Sequence, residues 1–290
     1  GQPCNVLIVD SEGIGSLEED SNHDSRVFSL AVLLSSYFIY NSVGAIDENA
    51  IHNLSLVVNI TKHIHLRASE STEEDSSEFS AYFPGFLWVV RDFTLRLTDQ
   101  EGRPFTSKQY LERALQPQKG FSDSVEEKNR IRRVLTGFFK DRDCCTLVRP
   151  TASEKDLQRL SSIDMQDLRS EFVEQVVELR RKVIENARVK TLNGTELSGE
   201  MLANLLVSYI SAMNSGVVPT IENAWSYICK NQNSMAFEES KQVYTRILKS
   251  VRKLPVEPED LKMVHKEAKT TALEHLNKKA VGEEKLQLTS

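Results

Sequence analysis

Apolar positions along the chain change their rhythm near residue 200. Before it, short apolar runs that end on charged or turn-forming residues alternate with stretches of helical period, and after it only the helical period remains. The first run, Val6-Leu7-Ile8-Val9, has three β-branched residues in four and predicts a strand buried on both faces, as inside a parallel sheet. Further strands are predicted over Tyr37–Tyr40, Gly85–Val90 and Asp143–Val148, the last closed by Arg149-Pro150. Helices are predicted over 26–36, then 47–66 with Ile51, Leu54, Val58 and Thr61 on one face, and over 107–115, 124–139 and 170–188. The polar run from Ile14 to Ser25 reads as a mobile loop, and the acidic, serine-rich run from Ala68 to Glu78 as an exposed one.

From Glu200 the strands disappear. Met201, Leu205, Ser208, Tyr209 and Ala212 share one helical face, Ser215-Gly216 breaks the run, and Pro219 opens a second helix through Trp225 and Ile228. A third is predicted over 235–252, and a stop containing Pro255 and Pro258 precedes a fourth over 259–279. The pattern predicts an α/β domain with a mostly parallel sheet over residues 1–199, followed by an α-helical bundle segment over 200–290.

Composition narrows the partners. With 42 acidic and 36 basic residues the net charge is −6, so no nucleic-acid surface is expected, and 40% apolar content suffices for real cores. The four cysteines, Cys4, Cys144, Cys145 and Cys229, match no zinc spacing and read as reduced thiols of a cytoplasmic protein. Residues 27–46 carry no charge over a span long enough for a bilayer, yet serines, Asn41 and two tyrosines interrupt it, and a buried helix running into a buried strand fits better. No signal peptide opens the chain, and its abrupt start at Gly1 suggests that an upstream part is missing.

Two strand ends carry candidate chemistry. Asp10 closes the first run and Gly13 follows three residues later, an arrangement that suits a carboxylate in a Mg²⁺ shell and a glycine N–H against a terminal phosphate, although Asp-x-x-Gly also describes ordinary turns. The run Gly85–Val90 leads into Arg91-Asp92, and in an open parallel sheet both acids would stand at one ligand edge. A carboxylate there suits guanine, whose N1–H and exocyclic amine lie side by side, while adenine presents a ring acceptor and would leave the acid unpaired. The plainer alternative is that Arg91 and Asp92 only cap the strand. His23 in a polar loop reads as solvated, His63 and His65 point to different sides of a helix, and the basic run Lys128, Arg130, Arg132, Arg133 reads as a solvated face.

These residues, taken in order, resemble the guanylate-binding proteins, interferon-inducible dynamin-related large GTPases with a P-loop NTPase head. The resemblance rests on Asp10-Ser11-Glu12-Gly13, Leu30–Ser36 leading into Tyr40-Asn41-Ser42, Tyr82-Phe83-Pro84, Arg91-Asp92-Phe93, Arg149-Pro150, Glu171-Phe172-Val173, Lys190-Thr191-Leu192, Tyr209-Ile210, Ser215-Gly216 and Glu222-Asn223-Ala224. It implies that Asp10 to Gly13 is a GTPase motif with Ser11 in place of threonine. Glu12 would then be the catalytic acid that positions the attacking water, Gly13 the γ-phosphate contact, Asp10 the Mg²⁺ ligand, and Arg91-Asp92 the guanine reader. Arg149 would open the guanine cap. GTP or GDP with Mg²⁺ are the implied cofactors, and a homodimer through GTPase heads, membrane or pathogen-surface association through a C-terminal part, and host defence are the implied partners and setting. The sequence departs from the family in having no Gly-x-x-x-x-Gly-Lys-Ser/Thr, so this chain alone is expected to be inactive. A catalytically dead interaction module and an atlastin-like membrane-fusion GTPase are the alternatives.

Overall fold

The computed structural model describes residues 4–11, 21–55, 65, 80–120, 122–250 and 257–282, and groups the chain into two compact units, residues 1–196 and 197–290. In the first unit the described elements are α1 (Ser21–Leu34), β1 (Tyr37–Val43), α2 (Glu48–Asn53), β2 (Gly85–Arg91), α3 (Ser107–Ala114), α4 (Asp123–Phe138), β3 (Arg142–Thr146), α5 (Glu154–Leu157), α6 (Ser170–Asn186), β4 (Thr191–Leu192) and β5 (Thr195–Glu196). Strands β1, β2 and β3 form a parallel sheet in that order, with Tyr37 opposite Gly85 and Phe86 opposite Arg142. The fold is thus α/β with a parallel sheet, followed by a helical segment, as the apolar rhythm predicts.

The central strand β2 is buried from Phe86 to Val90, which explains its unbroken apolar run. On one face Leu87, Val89, Cys145 and Leu147 pack against Phe172, Val176, Leu179 and Val183, four positions at helical spacing on α6. On the other, Phe86 lies 4.8 Å from Phe139 and 6.2 Å from Phe38 between ring centroids, and Phe38 meets Phe28 of α1 edge-on at 5.5 Å.

The described chain departs from the sequence reading at several elements. Helix α1 already begins at Ser21, inside the expected loop, and Asp24 in its first turn favours the helix N-terminus. Strand β1 continues through Asn41 and Ser42 to Val43, because the Arg91 Nε–H donates to Asn41 Oδ1 at 2.8 Å and the Trp88 Nε1–H to Ser42 Oγ at 2.9 Å. Helix α2 stops at Asn53, where the Leu54 N–H turns back to the His52 and Ile51 carbonyls, and His65 sits in a β-bridge, so no helix runs from 47 to 66. Residues 56–64 and the acidic run 68–78 lie outside the described residues.

The basic face of α4 is not wholly solvated. Arg132 is 2% exposed, ion-paired through Nη2 to Glu48 of α2, and donates from Nε to the Ala114 carbonyl at 3.1 Å, thereby fixing α2 and the end of α3 to α4. Strand pair β4–β5 turns through Asn193 (φ 47°) and Gly194 (φ 73°), the left-handed pair of a two-residue hairpin.

The second unit holds α7 (Gly199–Asn214), α8 (Ile221–Lys249) and α9 (Pro258–Lys279). Ser198 and Thr220 cap α7 and α8 by accepting from the Met201 and Asn223 N–H groups, and Pro258 begins α9 where its missing N–H costs nothing. Helix α8 is one continuous element, where the sequence predicts two. The intervening Lys230–Ser234 contains neither Gly nor Pro, and Asn233 is retained because it pairs with the Val281 backbone in both directions. Among the described residues no helix is long and apolar enough to cross a membrane.

Candidate functional site at the carboxyl edge of the sheet

Three parallel strands bring their carboxyl ends to one edge, and backbone bonds lock the loops that leave it. The Gly44 N–H donates to the Arg91 carbonyl at 2.8 Å, the Leu147 N–H to Val90 at 2.8 Å, and the Phe93 N–H to Leu147 at 2.9 Å. Between β2 and Phe93 stands Asp92 at φ 54°, a left-handed conformation uncommon outside glycine. Aspartate tolerates it better than most side chains, and such backbone strain clusters at functional sites.

Arg149, from the end of β3, approaches this carboxylate, with Nε 3.7 Å from Asp92 Oδ2. The same guanidinium donates from Nη1 to Glu154 Oε1 at 3.0 Å. Asp92 is 39% and Arg149 48% exposed at the side chain, so the pair is open to a ligand. At 3.7 Å the contact is an ion pair without a hydrogen bond, which leaves the Asp92 oxygens able to accept from other donors. The loop behind is braced by the Arg169 N–H donating to the Pro150 carbonyl at 2.9 Å and the Val148 N–H to Gln175 Oε1 at 2.7 Å.

Arg91 takes a different direction from Asp92. Bound to Asn41, it lines a cleft of about 490 Å³ with Ser42, Val43, Asp47 and Asn49 at the end of β1. The structure thus brings Asp92 to Arg149 and turns Arg91 towards β1. Asp10 is not carried on the sheet. The run Val6–Val9 forms no strand and is exposed at 75%, 73%, 90% and 76%, because a strand buried on both faces needs ladder partners and a covering layer on each side, and the described residues supply neither. Glu12 and Gly13 lie outside the described residues. Among the described residues no cluster of three or more His, Cys, Asp or Glu is suited to a metal ion.

Sequence reasoning passed over Glu154, which shares Arg149 with Asp92. Its signal was faint: an acid in the first turn after Ser153, the N-cap of α5.

Residues 1–192 match the family profile described as guanylate-binding protein, N-terminal domain, and residues 193–289 that described as guanylate-binding protein, C-terminal domain. The chain belongs to the guanylate-binding protein family. Guanylate-binding protein 3 of Mus musculus is 35% identical over 279 residues, covering 93% of this chain and 45% of its own length. Guanylate-binding protein 7 of Mus musculus is 36% identical over 279 residues, with 93% and 44% covered. Guanylate-binding protein 6 of Homo sapiens is 37% identical over 256 residues, with 87% and 40% covered. The chain spans less than half the length of these guanylate-binding relatives. Within the family frame, the sheet and its candidate edge belong to the N-terminal match and helices α7 to α9 to the C-terminal one.

Proposed function

We propose that this chain is the guanine-recognising part of a GTPase head, over residues 1–199, joined to the start of a helical stalk over 200–290, and that the longer protein hydrolyses GTP. The observation that carries the reading is Asp92: an exposed carboxylate on a left-handed turn at the end of the central buried strand, with Arg149 beside it. Its two oxygens accept the adjacent N1–H and amine of guanine, while Arg149 stays tethered to Glu154 and opens the cap over the base. Among the described strands the order runs one way from β1 to β3, and our reading puts its reversal beyond β1, on the side of the cleft lined by Asn41, Ser42 and Arg91. That is where phosphates belong in an open α/β sheet, and Arg91 faces it.

In the longer protein, the family resemblance would give Asp10 the Mg²⁺ role, Glu12 the water-positioning role and Gly13 the γ-phosphate role. Mg²⁺ does not fit the described residues as they stand, since Asp10 is exposed and no further ligands gather. Head-to-head dimerisation, cytoplasmic residence, host defence and association with membranes or pathogen surfaces are part of this proposal, supported by the family resemblance and by no feature of the described residues. A second reading, an inactive interaction module, is favoured by one observation, the absence of Gly-x-x-x-x-Gly-Lys-Ser/Thr from these 290 residues.

The test is a titration of the chain with GDP and xanthosine diphosphate. Asp92→Asn turns one acceptor oxygen into a donor facing guanine's own donors, so GDP affinity should fall roughly ten- to a hundred-fold, while the 2-oxo group of xanthine gains a partner. Unchanged GDP binding with no shift towards xanthosine diphosphate rejects Asp92 as the base reader.

A further inference from the structure

One side chain touches two of the loops that leave the carboxyl edge. Tyr110, on α3, accepts the backbone N–H of Ile46 on its phenol oxygen at 2.8 Å, in the loop between β1 and α2. Its ring stands edge-on to Phe93, with centroids 5.4 Å apart and planes at 66°. Phe93 immediately follows the strained Asp92, and Ile46 immediately precedes Asp47, which caps α2 by accepting the Ala50 N–H at 2.8 Å and lines the cleft with Arg91. Both Ile46 and Phe93 are buried, so neither loop can shift without moving the phenol. Helix α3 is in turn moored to β3, where Ser107 Oγ donates to the Cys144 carbonyl at 2.7 Å. Burial pushes the Tyr110 phenol up from its ordinary value, so it stays neutral through physiological pH.

We propose that Tyr110 is a positioning residue that couples the Asp92 turn to the β1–α2 loop, so that a ligand taken up at one is felt at the other. The identity of that ligand, a guanine nucleotide, rests on the function proposed above, whereas the mechanical link rests on Tyr110 alone. An ordinary core tyrosine would fill space and nothing more, and phenylalanine would replace it without consequence at either loop.

Tyr110→Phe keeps the ring on Phe93 and removes only the acceptor for Ile46. In the ligand-free chain, amide exchange should quicken about tenfold at Ile46 and also at Phe93, whose N–H is bound to Leu147 rather than to Tyr110. Faster exchange at Ile46 alone overturns the coupling. Phe93→Leu approaches the link from the other side and leaves the Tyr110 hydroxyl in place: Ile46 should again exchange faster, and unchanged exchange there also overturns it. With millimolar GDP, backbone amide shifts in the parent should appear at Asp92 and Phe93 and at Ile46 and Asp47. In Tyr110→Phe the first pair should persist and the second should vanish, an outcome that simple loosening of the core would not give. Shifts at both pairs in the variant overturn the proposal. If GDP moves neither pair in the parent, the nucleotide reading fails, and the ligand-free exchange still decides the coupling.

Discussion

Lys190 has an electrostatic setting that its place in the sequence does not suggest. Its Nζ donates to the Ser35 carbonyl at 2.8 Å and the Tyr82 carbonyl at 3.3 Å, tying the end of α1 and the approach to β2 to the start of the β4–β5 hairpin. Among the described residues no carboxylate pairs with it, and burial pushes the ammonium down from 10.5 to about 8. Between those two values the unfolded chain holds a proton that the folded chain has released, so this lysine adds stability as pH rises through that window. Buried Cys144 and Cys145, held up at about 12 and about 11, act in the opposite sense above their ordinary value of 9. Comparison with Lys190→Met cancels them. The unfolding free energy of the parent relative to that variant should rise by roughly 1–3 kcal/mol between pH 8 and 10.5, read from urea denaturation at stepped pH. A difference that does not vary with pH would show the ammonium to be solvated. At this scale Asp92 was legible, because an acid directly after a buried apolar run is visible in one dimension. The ion pair of Arg149 with Asp92, the Arg149 bond to Glu154 and the Tyr110 contact across 64 positions depend on how the chain folds back on itself and could not be read from local pattern.

Asn233 decides the character of an element. It lies in the gap between the helix predicted through Ile228 and the one predicted from 235, and asparagine has low helix propensity. The structure instead spends the side chain on a reciprocal pair, Nδ2–H to the Val281 carbonyl at 3.1 Å and the Val281 N–H to Oδ1 at 2.9 Å, which seals the chain leaving α9 against the middle of α8. A propensity deficit of under about 0.7 kcal/mol is outweighed by two hydrogen bonds and by the burial of Ala236, Leu276 and Ala280 beside them. Asn233→Ala should improve the intrinsic helix yet destabilise the second unit by about 1–3 kcal/mol, since two backbone groups of Val281 lose their partner. Denaturation followed by helical circular dichroism checks the sign, and a gain in stability would mean that propensity rules there. Elements whose signal is periodic and locally complete, such as α3, α4, α6 and the strand β2, were legible to within a few residues. The ends of β1 and α2 and the continuity of α8 were not, because each is set by a side chain reaching a distant strand or helix.

At the scale of the whole molecule the same distinction explains why the parallel sheet was read correctly and its first expected strand was not. Apolar runs declare that they want burial, and β2 obtains it from β1, β3, α6 and the aromatic layer. The run Val6–Val9 declares the same and remains exposed, and Ile39 and Val43 of β1 are exposed as well. Burial is a relation between segments, and a run cannot record whether its neighbours are at hand. Function inherits that limit. The base recognition proposed for Asp92 needs only its turn, which β2 and β3 build, whereas phosphoryl transfer needs backbone N–H groups and a lysine around the β- and γ-phosphates, and no phosphate-loop motif occurs in these 290 residues. Asp10, standing exposed and off the sheet, cannot substitute for a preorganised site, because electrostatic catalysis depends on groups already held where charge develops. The purified chain should therefore release no phosphate from GTP above a protein-free control, even where GDP perturbs the Asp92 amide. The two readouts together discriminate the cases: nucleotide-dependent shifts without turnover fit a base-binding portion of a larger GTPase, and steady phosphate release that survives repeated purification would mean that catalysis here does not require the phosphate loop at all.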